Sequence, residues 1–575
     1  MKKRCLVIIS LVMAVVLLCG CASVTEQVAT SFVIERETPV PLEKIPFDEI
    51  EYVRPDIDSM YAVVDSLHEA LNNPLKYNEI APLMDEFFRL DSEFATMYVL
   101  ANIRSSLDEN DEFYDEEYSW CMENEAELQM LMQELGIACA NSVHSQSLEY
   151  LYFWDGFVEE ILEPAEDESN GTYEDYINIV AQRTELLARY RDMAADLSVA
   201  LIEVNKKIDE YVQQGRYDEA LAVYYGFGEE YSPAFSEIYI ELIKLNNEEA
   251  RLMGYESYAQ LQYEYEFSRD YSPEEAKEYL GHIKNYVSKL GLDVLQAGLA
   301  DKLFYDPLYE RDLKLYLETL ADDLGGAIEE AYELMIEYRM YDFRLDTNKA
   351  ETSFQSYLAD YEIPYLFLYP YGDTGDLVTL CHEFGHYADS YIRKGADESI
   401  DLAEVYSQAM QLMSFKPLRV VMREEARQNY RLMTMLDLLS AIQSQAALAE
   451  FELRAYEMEE PTMEKLNDLY AQLLLEYGIE LEEDAESLAP SWITVSHLFE
   501  SPFYVISYCV SAAVALELYE AELENEGSGI EQFIRMSESQ IPGLMEAVEY
   551  AELSNPLLES SVQHTADFLR SQLLE

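Results

Sequence analysis

Apolar residues recur at three- and four-residue spacing through most of the chain from Ile57 onward. Two clear examples are YAVVDSLHEALNN at 61–73 and ELLARYRDMAADLSVALIEVNKKIDEYVQQ at 185–214. This spacing places apolar side chains on one face of an α-helix, because a helix turns once in about 3.6 residues. The pattern therefore predicts a succession of amphipathic helices and a mainly α fold.

Alternation typical of strands is scarce, and the clearest exception is YEIPYLFLYPYGDTGD at 361–376. There, Pro364 and Pro370 flank a short run of aromatic and aliphatic residues. Proline cannot donate to a strand ladder, which confines such a run to a sheet edge or to irregular extended chain. We therefore expect one small edge-strand element in an otherwise helical protein.

Length and composition suit either two domains or one large elongated domain. The 575 residues are 49% apolar, with only 21 glycines and 18 prolines, which is typical of a helix-rich globular protein. Residues 22–55 are polar and proline-bearing without sustained periodicity, so we interpret them as a tether. The remainder divides into an N-terminal helical region at 56–235 and a second region at 236–575 that holds the candidate chemistry.

The N-terminus has the pattern of an export signal. Three basic residues at 2–4 precede an apolar run at 5–18, which is shorter than the roughly 20 residues of a membrane-spanning helix. This predicts a signal peptide at 1–20. The following LCGC resembles the lipobox of bacterial lipoproteins, with Cys21 as the lipidated first residue of the mature chain. We expect an extracytoplasmic, membrane-anchored lipoprotein; ordinary secretion is the alternative.

The charge balance argues against nucleic acid as a partner. The chain has 38 basic and 113 acidic residues, a formal net charge of −75. Such a field repels phosphate backbones and favours neutral or basic ligands. Diffuse acidity of this kind also serves solubility.

Four cysteines follow the lipobox, at positions 121, 139, 381 and 509. Their spacing matches neither a zinc ribbon nor a disulfide framework. We expect buried single thiols, with a bridge between Cys121 and Cys139 as the alternative.

The stretch LVTLCHEFGHYADSY at 377–391 places two of the seven histidines four residues apart. Asp376 is expected to cap the start of a helix, and Arg393, Lys394 and Gly395 form a typical helix end. The motif is therefore predicted to lie inside one helix.

Within such a helix, His382 and His386 share a face and can both direct an imidazole nitrogen at one Zn²⁺. Glu383 is turned by about 100° from His382. Its carboxylate therefore lies beside the metal rather than on it, where it can take a proton from an attacking water. Two imidazoles and a nearby base are the groups that metal-assisted hydrolysis requires.

A catalytic zinc needs a third protein ligand. The helical pattern SIDLAEVYSQAMQLM at 399–413 offers Glu404, which a returning helix could bring to the metal. Asp397, Glu398 and Asp401 compete with it, and local spacing alone does not choose among them.

Several blocks in order resemble the thimet oligopeptidase and oligoendopeptidase F family of zinc peptidases. The likeness covers roughly 235–575, whereas the N-terminal region matches only in being helical. The blocks are IPYLFLYPYGDTGDLVTLCHEFGH, DLAEVYSQAMQLM, IQSQAALAEFELRAYE and HLFESPFYVISYCVSAAVALELY.

The resemblance implies one zinc per chain, with ligands His382, His386 and Glu404 and with Glu383 as general base. It also implies that His497, Tyr504 and Tyr508 stabilise the tetrahedral intermediate. A helix starting at Ser501 and Pro502 would place the two tyrosines at i and i+4 on one face.

The resemblance further implies an elongated helical fold with a deep channel that admits short unfolded peptides. In the resembling enzymes the substrate backbone pairs with an edge strand before the metal helix, and here Tyr369, Tyr371 and Gly372 are the candidates. A monomer is expected.

Three features depart from the family pattern. The connection from His386 to Glu404 is shorter than usual, Asp389 stands where relatives often carry histidine, and Gln411 where they often carry glutamate. The main alternative is therefore a lipid-anchored peptide-binding protein in which catalysis has faded. Hydrolysis of a non-peptide amide is a further possibility that sequence does not separate.

Overall fold

The computed structural model shows a mainly helical protein, as the apolar periodicity predicts. It describes residues 42–73, 76–153, 156–162, 173–481 and 485–574. The predicted signal peptide, the lipidation site Cys21 and the first part of the predicted tether lie outside the described residues, and the division at 235 stays a prediction.

Twenty-two α-helices follow one another along the described chain. They are α1 (Ile57–Leu71), α2 (Tyr77–Leu107), α3 (Glu112–Asn141), α4 (Ser145–Tyr152), α5 (Phe157–Leu162), α6 (Tyr173–Gln213), α7 (Tyr217–Leu252), α8 (Tyr258–Leu261), α9 (Pro273–Tyr286), α10 (Ser288–Gln296), α11 (Glu310–Leu324), α12 (Gly326–Glu337), α13 (Asp376–Arg393), α14 (Ile400–Met413), α15 (Glu424–Tyr456), α16 (Met463–Glu476), α17 (Ala485–Leu488), α18 (His497–Glu500), α19 (Ile506–Glu524), α20 (Ser528–Ser539), α21 (Leu544–Tyr550) and α22 (Glu559–Leu574).

Shorter helical turns join some of these elements. Of the turns that lie wholly within the described residues, five are of the 3₁₀ type and one, directly after α8, is a π-helical turn. The 3₁₀ turns are Phe47–Glu49, Ala300–Lys302, Ala359–Tyr361, Pro417–Val420 and Ala489–Thr494, and the π turn is Gln262–Glu266.

The one sheet in the described residues has three short strands before the metal-motif helix. The strands β1 (Tyr341–Asp342), β2 (Phe354–Leu358) and β3 (Ile363–Phe367) lie in the order β1-β3-β2. β3 pairs in parallel with β1 and antiparallel with β2. The run that sequence placed at an edge is thus the central strand, and this expectation is wrong.

The central strand tolerates Pro364 because of its register. The N–H groups of Leu366 and Leu368 donate to β1-side carbonyls, at 3.1 and 3.0 Å, so the nitrogen of Pro364 faces the same side. Pairing with β1 begins only at Leu366. No ladder hydrogen bond is therefore lost where the proline lies.

The described apolar side chains form two cores. The smaller core lies among α1 to α5 and includes Leu67, Phe87 and Leu135. The larger core takes in the sheet and the helices from α6 onward. α2 contributes to both, since its later residues Leu100 and Ile103 pack on the larger core.

The long apolar helix α15 is the one described helix that is long and apolar enough to cross a membrane by length and composition. Within its most apolar window, 61% of the residues are buried inside the protein. Core helices pass the same test, so α15 is interpreted as a core helix.

All four described cysteines are buried free thiols, as expected. Cys121 and Cys139 are not bridged. The alternative of a disulfide between them is therefore wrong.

Asp91 on α2 is only 6% exposed, and burial raises the pKa of its carboxyl from 3.8 to about 7. The folded protein holds this proton more tightly than the unfolded chain does. The contribution of Asp91 to stability therefore falls as pH rises from about 4 to about 7 and stays low above that.

We expect Asp91→Asn to raise the free energy of unfolding at pH 8 by on the order of 4 kcal/mol. At pH 4 the substitution should leave the free energy of unfolding nearly unchanged. Urea denaturation at the two pH values measures the difference. Asp65→Asn, which alters an exposed carboxyl on α1, is the control and should show no such pH dependence. An equal effect of Asp91→Asn at both pH values would contradict the interpretation.

Candidate metal centre

The helix α13 carries the H-E-x-x-H motif and begins at Asp376 itself, so Asp376 is not the N-cap that sequence suggested. Its carboxylate instead accepts hydrogen bonds from the backbone N–H groups of Tyr371 and Gly372, at 2.8 and 2.9 Å. Asp376 thus anchors the loop before the helix. The predicted end is correct: α13 stops at Arg393, and the next residue adopts a left-handed conformation.

The two motif histidines and Glu404 converge on one point. His382 and His386 lie on one face of α13 with ring centroids 4.9 Å apart. Glu404 Oε2 lies 3.5 Å from His382 Nε2 and 4.0 Å from His386 Nε2. Among the described residues, this is the one group of three or more His, Cys, Asp or Glu donors that could hold a metal, with all ligand atoms within 4.8 Å of one another.

Gly385 allows this convergence. An added Cβ there would lie 2.5 Å from the carbonyl oxygen of Tyr406 and 2.6 Å from Cα of Ser407. Contacts this short are not seen for real side chains, so α13 and α14 can touch here only through glycine. Since Tyr406 and Ser407 follow Glu404 on α14, the close approach brings that carboxylate to the histidines.

The donor set fits a zinc ion. Two atoms bound tetrahedrally at about 2.0–2.1 Å from one zinc are about 3.4 Å apart, close to the distances from Glu404 to the histidines. Burial lowers the pKa of His386 to about 4, so its imidazole is neutral and can act as a ligand at neutral pH. Ser407 donates to Glu404 Oε2 at 2.9 Å and orients the carboxylate.

Two of the three competing carboxylates are engaged elsewhere. Asp401 forms an ion pair with Arg269 at 3.1 Å, and Glu398 lies 3.4 Å from Arg393. Asp389, the residue that departs from the family pattern, lies 3.6 Å from the same Arg393. Gln411 is half-buried on α14, beyond the metal-facing turn.

Glu383 is buried beside the histidines, with 8% of its surface exposed. Burial, and then the nearby Glu404, raise its pKa to about 8. A bound dication would lower this pKa again, because it favours the charged carboxylate. The environment therefore suits a group that alternately accepts and releases a proton.

His497, Tyr504 and Tyr508 lie close to one another beside Glu404, and their role in stabilising the tetrahedral intermediate stays a prediction. The His497 ring lies 4.9 Å from Tyr504 and 6.0 Å from Tyr508, and the two tyrosine rings are 5.3 Å apart. The Tyr504 hydroxyl donates to Glu404 Oε1 at 3.2 Å. The three polar groups thus form one wall of the site.

The predicted helix start at Ser501 and Pro502 is wrong. α19 begins only at Ile506, because Phe503 has a positive φ of 68° that interrupts any helix there. The N–H of Phe503 donates to the buried carboxylate of Glu452 at 2.7 Å. Tyr504 is therefore presented by a loop that Glu452 holds, while Tyr508 lies on the helix.

Tyr369, Tyr371 and Gly372 lie in the loop between β3 and α13, not on an edge strand. Tyr371 is 71% exposed, and Gly372 has a φ of 90° that favours glycine. The backbone of this loop pairs with the segment around Leu308, whose N–H donates to the Gly372 carbonyl at 3.0 Å. Their contact with a substrate stays a prediction.

Sequence reasoning missed several residues that hold the site. Gly385 was not singled out, although a glycine between two ligand histidines is a signal for close helix contact. Ser407 lies three residues after Glu404 and could have been found from helix spacing. Nothing local singles out Glu452 or Arg269, because their partners are distant in sequence.

Two family models match the chain in order. A model described as "Peptidase M3 N-terminal domain" matches residues 47–153, and one described as "Peptidase family M3" matches residues 328–532. The second match contains the converging histidines and glutamate. The chain belongs to peptidase family M3. The N-terminal match goes beyond the helical likeness that sequence reasoning found there.

Relatives of this M3 chain include two bacterial proteins. An oligoendopeptidase F homolog from Borreliella burgdorferi is 30% identical over 273 residues, 45% of this chain and 44% of that protein. Group B oligopeptidase PepB from Streptococcus agalactiae is 27% identical over 329 residues, 52% of this chain and 54% of that protein. The aligned part thus spans about half the length of these relatives.

Solved structures confirm the M3 fold over nearly the whole chain. PZ peptidase A with an inhibitor superposes with a TM-score of 0.74 at 20% identity, covering 92% of this chain and 99% of that one. A putative oligoendopeptidase F from Bacillus anthracis gives 0.73 at 20% identity, with 92% and 98% covered. At this identity the likeness shows the fold alone.

We expect Gly385→Ala to weaken zinc binding by at least about tenfold, because the new methyl group must push α14 and Glu404 away from the histidines. Zinc titration against a competing chelator measures the affinity. Gly281→Ala on α9, where an added Cβ meets nothing within 4 Å, is the matched control. An unchanged zinc affinity in Gly385→Ala would show that the helix contact does not position Glu404.

Proposed function

We propose that this M3 member is a zinc-dependent oligoendopeptidase that hydrolyses short unfolded peptides. The observation that carries the proposal is the convergence of His382, His386 and Glu404 within 4.8 Å, with Glu383 and Tyr504 beside them. The printed names of the relatives, oligoendopeptidase and oligopeptidase, support the substrate class. Two imidazoles and one carboxylate leave an open position on a tetrahedral ion, which catalytic zinc requires.

A bound zinc would polarise the scissile carbonyl and make water a better nucleophile at neutral pH. Glu383 takes the proton from the attacking water and later gives it to the leaving amine. Its buried position next to the metal ligands allows both steps. The pKa of a carboxyl in such a place depends strongly on the charges around it, so the group can both accept and release a proton.

The second wall of the site supplies hydrogen-bond donors to the developing oxyanion. Burial raises the pKa of Tyr508 to about 12 and that of Tyr504 further, so both phenols keep their protons. Burial lowers the pKa of His497, which leaves a neutral imidazole with one N–H to donate. Removing one such donor typically reduces kcat by about 10²- to 10³-fold.

A peptide backbone that pairs with the sheet would do so along β2, because β2 is an outer strand of five residues, whereas the other outer strand, β1, has only two. The register turns the main-chain groups of Gln355 and Tyr357 away from β3. The Gln355 side chain accepts a hydrogen bond from Ser390, one helical turn after His386 on α13, at 3.2 Å. Backbone pairing of this kind binds peptides with little dependence on sequence.

We expect Glu383→Gln to bind one zinc per chain like the unmodified protein and to cleave peptides about 10²- to 10⁴-fold more slowly. Metal analysis and mass spectrometry of a mixed short-peptide library measure the two properties. Glu531→Gln, which alters an exposed carboxyl on α20, is the matched control. Metal binding without any cleavage by the unmodified protein would favour the faded peptide-binding alternative, and absence of metal would refute the site.

The proposal includes a lipid anchor at Cys21, which rests on the basic residues, the apolar run and the LCGC pattern alone. We expect the full-length protein to partition into the membrane fraction when expressed in a bacterium, and Cys21→Ser to be released from it. Mass spectrometry of the N-terminal peptide detects the lipid. Cys121→Ser is the control, and an equal distribution of the two variants would refute the anchor.

A further inference from the structure

The guanidinium of Arg269 lies fully buried between the elements that carry Glu404 and the two tyrosines. Its Nε donates to both oxygens of Asp401, at 3.1 and 3.2 Å. Its Nη2 donates to the Ser507 hydroxyl at 2.8 Å. The Ser507 hydroxyl in turn donates to Asp401 Oδ1 at 2.5 Å, which closes a buried triangle of three side chains.

The backbone before Arg269 is built to bring this side chain inward. The π-helical turn Gln262–Glu266 ends α8, and Ser268 then adopts a left-handed conformation with φ of 47°. The guanidinium carbon consequently lies 4.5 Å from the Tyr263 ring and 4.6 Å from the Phe267 ring. π turns inside helical segments are frequent at functional sites.

Each partner of Arg269 stands next to a residue of the metal site. Asp401 lies three residues before Glu404 on α14, and Ser507 directly precedes Tyr508 on α19. Phe267, two residues before Arg269, contacts the Tyr504 ring edge-on at 5.9 Å. One guanidinium therefore joins the helix of the third ligand to the wall of oxyanion donors.

We propose that Arg269 is a positioning residue that fixes α14 against α19, so that Glu404 stays aligned with the histidines and the tyrosines stay aligned with Glu404. The proposal rests on the proposed zinc peptidase function. Arg269 is not required to align His382 and His386 with each other, because both lie on α13. The planar guanidinium of arginine suits this positioning role, because it can donate to a carboxylate and to a hydroxyl at the same time. The ammonium group of lysine cannot do so in the same geometry.

The experiment uses variants that leave no buried charge unpaired, because a lone buried charge can unfold a protein. Arg269→Met with Asp401→Asn removes both charges. Ser507→Ala leaves the ion pair and removes only its link to α19. Arg183→Met with Glu249→Gln is the matched control, since this ion pair of a partly exposed arginine and a buried glutamate joins α6 to α7 rather than the helices of the candidate site.

For the Arg269 and Asp401 double variant we expect the zinc dissociation constant to rise about 10- to 100-fold, as when a partner of a metal ligand is lost. The visible absorption of the Co²⁺-loaded protein should shift, because the carboxylate ligand is displaced. At saturating zinc, kcat should fall while KM changes less. The control should lose thermal stability with an unchanged zinc affinity and Co²⁺ spectrum.

Ser507→Ala should keep the zinc affinity and lose about tenfold in kcat, the effect of one hydrogen bond to a charged group. Arg269→Lys should keep the fold. Its zinc affinity and its kcat should lie between those of the double variant and those of the unmodified protein. Unchanged zinc affinity, Co²⁺ spectrum and kcat in the double variant would overturn the positioning role, as would full rescue by lysine. If the unmodified protein binds zinc but cuts no peptide, the peptidase proposal fails, while affinity and spectrum still decide the role of Arg269.

Discussion

The contact between α13 and α14 at Gly385 is the constraint on which the rest of the candidate site depends. His382 and His386 are held in register by the helix period alone, but a third ligand must come from another element. Packed helices usually keep their axes about 8–10 Å apart, depending on the side chains between them. Glycine at the crossing lets the backbones touch, and Glu404 then reaches within 3.5 Å of His382. The short connection between the helices is sufficient for this reason.

The strong acidity of the chain makes selective placement of carboxylates necessary. With 113 acidic residues, many could compete for a dication, yet those buried near the site are bound to other groups. Asp401 is held by Arg269, and Glu398 by Arg393, while Glu452 accepts from the Phe503 backbone. Each of these contacts offsets part of the cost of burying a charge. Glu404 and Glu383 are left to face the histidines.

Sequence predicted those features that depend on residues within one or two turns of each other. The helical periodicity, the shared face of His382 and His386, and the end of α13 all follow from local spacing, and the structure shows them. The position of β3 in the sheet did not follow, because tolerance of Pro364 depends on where the partner strand β1 begins. The start of α19 did not follow either, because Phe503 adopts a positive φ beside a glutamate 51 residues away.

The family resemblance supplied what local spacing lacked, but it did so by naming residues rather than the contacts that hold them. Arg269 lies 132 residues from Asp401 and 238 from Ser507, and no pattern around it separates it from the other basic residues. The metal motif therefore specifies which chemistry is available, whereas buried polar contacts between distant segments determine whether the groups stay aligned. Since one ligand comes from α14 and the oxyanion donors from α19 and its preceding loop, alignment between these elements is as necessary for catalysis as the motif itself.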